Sequence, residues 1–158
     1  MEVTTASTLV KFDDNGQNQQ ELFQIFNNTF PSPNKMAFNS ENGWVYIFIL
    51  DQNGNPNLIT CDLFSNEIVF SVEIKIVAPN TKLVFNDARQ SLYFVSAATS
   101  LVPPFWGIVD PITGNVDIIG NFPQENAIPM WLESDEVADV LYVLIEEPNS
   151  PQQHSIVT

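Results

Sequence analysis

Basic residues, cysteine and histidine are all scarce in this chain. Five basic side chains, Lys11, Lys35, Lys75, Lys82 and Arg89, face 19 acidic ones, and the formal charge over 158 residues is -14. Such a chain repels a phosphate backbone and an anionic bilayer, so neither nucleic acid nor lipid is an expected partner. Cys61 is the only cysteine and sits in Leu58-Ile59-Thr60-Cys61, which reads as a small buried hydrophobe; an intrachain disulfide is excluded. His154 is the only histidine, in the loop-like run Ser150-Pro151-Gln152-Gln153-His154, and one imidazole without a second His or Cys does not make a zinc site. The sequence has no G-x-S-x-G, no Gly-rich phosphate loop and no His-Glu pair at helical spacing. Catalysis is therefore disfavoured, and no metal or other cofactor is expected. No run approaches the ~18 apolar residues of a spanning helix. The start Met1-Glu2-Val3-Thr4-Thr5 lacks a basic segment followed by an apolar one, so a soluble chain is expected.

What is abundant points to a packed core. Apolar residues make up 44% and charged residues 15%, with 12 Phe, enough to bury an interior and too little charge for a disordered chain. All five bases lie at or before Arg89, leaving an acidic, solvated second half. The compartment stays open, with the low Lys content and the sequon at Asn27-Asn28-Thr29 leaning towards an extracellular setting.

A repeat organises the rest. Shifting the chain by 48 residues superposes Asp14, Asp62 and Asp110, and four residues later Asn18, Asn66 and Gly114. Asn and Gly tolerate a left-handed backbone, and Asp accepts bonds from nearby backbone N–H groups, so each copy reads as a tight hairpin turn. Short β-branched and aromatic runs flank each turn: Leu9-Val10-Lys11-Phe12, Leu58-Ile59-Thr60-Cys61 and Trp106-Gly107-Ile108-Val109 before it, Leu22 to Ile25, Ile68 to Val72 and Val116 to Ile119 after it. A second strand pair precedes the latter two turns. Met36 to Phe38 with Trp44 to Ile49 recurs as Leu83 to Phe85 with Leu92 to Val95, and again as Met130 to Leu132 with Val140 to Ile145 after an acidic turn at Glu133-Ser134-Asp135-Glu136.

The unit is thus four strands, A to D, in about 48 residues, and its B strand is nearly continuous apolar sequence, as in a strand covered on both faces. Blades stacked radially in a β-propeller provide that cover; a β-sandwich is the alternative. The run Val109-Asp110-Pro111-Ile112-Thr113-Gly114-Asn115-Val116 resembles the signature of YVTN-like and quinoprotein-like propeller repeats, and the Asp13-Asp14-Asn15-Gly16 and Asp62-Leu63-Phe64-Ser65-Asn66 copies follow it loosely. The resemblance implies a propeller of that superfamily. No Trp-Asp dipeptide of the WD40 kind is present.

The expected order is a single all-β segment over residues 1–158: strands C-D (8–30), a full blade (34–77), a second (81–123) and a partial A-B blade with the first residues of C (127–158). About three blades cannot close a ring, since propellers use roughly four to eight. Leu9, Val10 and Phe12 at one end and Ile156 and Val157 at the other are the candidate edges for completion. The completing partner is either a second copy, giving a twofold six-bladed ring, or the remainder of a longer propeller. Pro103-Pro104-Phe105-Trp106 is the candidate interaction loop, stiff and aromatic, although Trp106 aligns with Leu58 and Val10 and so reads first as a residue packed between blades. The function expected is a non-catalytic scaffold that binds protein; a lectin-like binder of carbohydrate or a small ligand is the alternative, and a fragment of a propeller enzyme the third.

Overall fold

The structure, a computed structural model, describes residues 6–11, 15, 19–26, 36–50, 53–75, 80–98, 102–146 and 154–157, and none of these is helical. The strands are β1 (Ala6–Lys11), β2 (Gln20–Phe26), β3 (Met36–Asn39), β4 (Trp44–Leu50), β5 (Pro56–Asp62), β6 (Glu67–Glu73), β7 (Lys82–Asn86), β8 (Ser91–Ser96), β9 (Phe105–Val109), β10 (Val116–Asn121), β11 (Ile128–Asp135), β12 (Val140–Glu146) and β13 (His154–Val157). They form four antiparallel sheets: I (β1-β2), II (β3-β4-β5-β6), III (β7-β8-β9-β10) and IV (β11-β12-β13). Each pairs sequential neighbours, the up-and-down order of a propeller blade. The innermost strands β3, β7 and β11 touch in turn, which arranges the sheets around an axis in an open arc. The grouping is the repeat read from the sequence, and no two sheets form a self-contained sandwich.

The B strands explain the packing. In β4, Val45 to Ile49 are all buried. Side chains alternate across a strand, so Val45, Ile47 and Ile49 pack with Ile59 and Cys61 towards Leu9 and Leu22 of sheet I. Tyr46 and Phe48 join Leu58 and turn towards Leu83, Phe85, Leu92 and Phe94 of sheet III. The next interface is a third cluster, with Val95 and Trp106 of sheet III against Leu132, Leu141, Val143 and Ile145 of sheet IV. Three clusters lie in the three gaps between sheets. Tyr46 stacks on Phe85 at 5.4 Å between ring centroids, an offset geometry that suits the ring quadrupoles.

Four details correct the sequence expectation. The acidic segment is not a turn at Glu133: β11 continues to Asp135, laddered through Glu133↔Tyr142, Ser134↔Leu141 and Asp135↔Val140, so the turn is 136–139. His154 belongs to strand β13, opposite Glu146, and not to a loop. The superposition of Val10 on Leu58 and Trp106 is one residue out, because Leu9 carries the contact to sheet II and a register shift falls between Leu9 and Val10. Phe105 and Trp106 belong to β9, not to the loop before it. Phe12, Asp14 and Asn18 lie outside the described residues, as does the Asn27 sequon.

Candidate interaction surfaces

The turns do the local work assigned to them. Asp62 Oδ1 accepts the N–H of Phe64 (2.7 Å) and of Ser65 (3.4 Å). Asp110 Oδ1 accepts from the N–H of Ile112 (2.8 Å), and its Oδ2 from the Thr113 hydroxyl (2.7 Å). Asn66 and Gly114 then take φ of 56° and 72°, the left-handed values that turn the chain back. The A–B turns repeat the device with Asn39, Asn86 and Asp135, whose side chains accept from backbone N–H groups two or three residues later.

These carboxylates titrate with the fold. The Thr113 hydroxyl and Ile112 N–H hold Asp110 below the usual carboxylate range, and the Phe64 N–H does the same for Asp62. A lowered folded-state pKa supplies stability that is complete above the unfolded value near ~4 and is lost as pH falls through the folded value. Denaturant midpoints measured from pH 6 to pH 2 are expected to fall in acid. The Asp62→Asn/Asp110→Asn variant, which keeps an acceptor and loses the titration, is expected to fall less steeply; equal slopes would contradict the assignment.

One rim of the arc is stitched turn to turn. Ser40 donates from its hydroxyl to Asp87 Oδ2 (2.6 Å), Asp87 N–H donates to Glu136 Oε1 (2.9 Å), and Asn86 Nδ2 donates to Ser134 Oγ (2.8 Å). The Arg89 guanidinium grips Asp139 with two nitrogens and holds that carboxyl below its usual range. Every link joins residues 47 to 50 apart, one repeat period. The acidic residues of the β11–β12 connection therefore serve as blade-to-blade ties. Both partners of the Arg89–Asp139 pair are about half exposed, so it fixes geometry more than it adds stability. Among the described residues, no group of three or more His, Cys, Asp or Glu is placed to hold a metal. Cys61 is buried and desolvation pushes its thiol up to about 11, which suits packing and not nucleophilic chemistry.

The Pro103-Pro104-Phe105-Trp106 segment folds inward. Phe105 is 0% exposed and meets Phe94 edge-on at 5.7 Å, and Pro104 is also fully buried. Trp106 is half-buried between sheets III and IV, with its indole nitrogen over Gly120. Pro103 stays exposed.

Three other surfaces emerge. The first is the concave face of the inner strands, where Met36, Phe38 and Trp131 are about half exposed and border a shallow depression with Val84. The sequence placed these residues on A strands; which side faces the axis depends on how neighbouring blades lie. The second is a groove of about 510 Å³ between sheets III and IV. The third is the pair of end sheets, with two and three strands among the described residues where the inner sheets have four. Leu9 and Val10 lie in sheet I and Ile156 and Val157 in sheet IV, paired through the backbone with Leu144 and Val143.

No family model matches the chain, and no curated protein matches it. Among solved structures it is similar to TolB from Acinetobacter baumannii, a β-propeller-containing protein, with a TM-score of 0.55 at 13% identity. The likeness covers 97% of this chain and 40% of the TolB chain, so the chain spans well under half the length of that protein. At such identity the likeness is one of fold: an all-β, propeller-like arc of four-stranded antiparallel sheets, open and not closed.

Proposed function

We propose that the chain is a non-catalytic, propeller-type interaction scaffold that binds protein by completion of its open sheets. The observation that carries this is the strand count among the described residues, two, four, four and three across sheets I to IV. An edge strand offers a row of unpaired N–H and C=O groups, and another strand is the partner that satisfies them. The rim where Asp87, Arg89, Glu136 and Asp139 tie one blade to the next supports the same reading. The Asp110-Pro111-Ile112-Thr113-Gly114 hairpin, with its capping and left-handed glycine in place, supports kinship with YVTN-like and quinoprotein-like repeats.

The completing blades come either from a second copy or from further propeller sequence. Sedimentation equilibrium from micromolar to submillimolar concentration tests the first. A species of about twice the 17.7 kDa chain mass or more is expected. A compact monomer throughout would remove self-completion.

A further inference from the structure

Two gaps between neighbouring blades open into pockets on the same rim, that of the A–B and C–D turns. Asn39, Asn42 and Tyr46 of sheet II face Gln90 and Leu92 of sheet III around a pocket of about 320 Å³. One repeat period later, Asn86, Arg89 and Tyr93 of sheet III face Asp139 and Leu141 of sheet IV around the larger one of about 510 Å³. The positions correspond one to one, and Gln90 and Asp139 share a left-handed backbone, with φ of 50° and 57°. The pockets are thus a product of the repeat, and they differ in chemistry. In the III–IV pocket the facing residues Arg89 and Asp139 direct their polar atoms at each other across the gap. In the II–III pocket the same two positions are neutral amides, Asn42 and Gln90.

We infer that the II–III pocket binds one neutral sugar residue. This goes beyond the completion of sheets and does not depend on it. A volume of about 320 Å³ lies at the lower end of the roughly 300–1,000 Å³ of small-molecule sites. The polar groups of the lining are held in place by bonds of their own. Asn42 Oδ1 accepts from the Trp44 N–H (3.0 Å), Gln90 Nε2 donates to the Asp87 carbonyl (2.7 Å), and the Ser91 hydroxyl donates to the Arg89 carbonyl (3.0 Å). Each has capacity beyond that bond, since a primary amide carries two N–H groups and a hydroxyl two lone pairs. The Tyr46 hydroxyl, with the Asn39 and Asn42 amides beside it, completes the set. Phe85, Ile108 and Pro111 supply an apolar wall. A ring with hydroxyls on its edge and C–H groups on its faces matches both halves of that lining. Charge selects against other ligands. An anion meets a chain of net charge -14. An ammonium would find one carboxylate in the lining, Asp110, which already accepts from the Ile112 and Thr113 N–H groups and from the Thr113 hydroxyl, so the cost of desolvating the cation is poorly offset.

The test titrates the chain with free glucose, galactose, mannose, xylose and N-acetylglucosamine by saturation-transfer NMR, with glycerol as the control for unspecific contact with a polyol. At least one of the sugars is expected to bind with a Kd of about 1 mM or tighter. Tyr46→Phe, which keeps the ring and removes only its hydroxyl, is expected to weaken that binding about tenfold. Ser91→Trp, which fills the pocket from its sheet III wall, is expected to abolish it, and Val140→Trp, at the corresponding position of the III–IV pocket, to leave it unchanged. Should Ser91→Trp fail to fold, the Tyr46→Phe and Val140→Trp pair still decides the matter. No binding of any of the five sugars, or binding no tighter than that of glycerol, would overturn the inference. Binding that Val140→Trp removes and Tyr46→Phe leaves intact would place the ligand in the III–IV pocket and overturn it as well.

Discussion

Replacing Phe105 by alanine is expected to lower unfolding stability by about 3–5 kcal/mol, the usual cost of emptying a buried aromatic site. Its ring is fully buried in the cluster between sheets II and III and meets Phe94 edge-on, so its removal leaves a cavity in that cluster. Against a total of roughly 5–15 kcal/mol for a typical domain, that loss is a large fraction. Urea denaturation followed by tryptophan fluorescence measures it directly. A loss under about 1 kcal/mol would mean that the ring projects from the rim, and would restore the loop as a surface anchor. Pro103→Ala, at the exposed start of the same segment, is the companion with an expected change within about 0.5 kcal/mol.

Gly114→Ala is expected to be the second severe substitution. The residue takes φ of 72°, where a side chain costs roughly 1–2 kcal/mol. A methyl group there would also overlap the carbonyl oxygen of Glu73, at the end of β6 in the preceding sheet. Moving that backbone adds about 1–3 kcal/mol of overpacking. The glycine thus serves twice, turning the β9–β10 hairpin and letting its tip seat against the neighbouring blade. Gly54→Ala is the control, since φ is 82° there but nothing stands within 4 Å of the added methyl. Thermal unfolding of the pair separates backbone strain from interblade overlap. Equal losses in the two variants would show that the turn of sheet III does not press on sheet II.

Much of the architecture could be read from residues because its causes are local. Asp62 and Asp110 cap turns through bonds to residues two or three positions on, and the left-handed positions at Asn66 and Gly114 lie four residues after each aspartate. The continuous apolar run from Val45 to Ile49 announced a strand covered on both faces, and its two alternating sets do go to two different clusters. What stayed hidden was set by partners far along the chain. Phe105 turned inward because Ser96 pairs with it across β8–β9, a fact no window around Pro103-Pro104 contains. Glu136 and Asp139, beside Glu133, looked like part of a solvated turn until neighbours one period away, Asp87 and Arg89, supplied their partners.

Taken alone, the order of amino acids determined the strand unit, its period and its turn chemistry, because hydrogen bonds and steric limits within a few residues leave little choice there. Tertiary structure decided which face of each inner strand meets the axis, which aromatics are enclosed and where a cleft stays open. Those outcomes depend on the volumes that side chains from different sheets present to one another, and close packing makes that a property of the interface rather than of either strand.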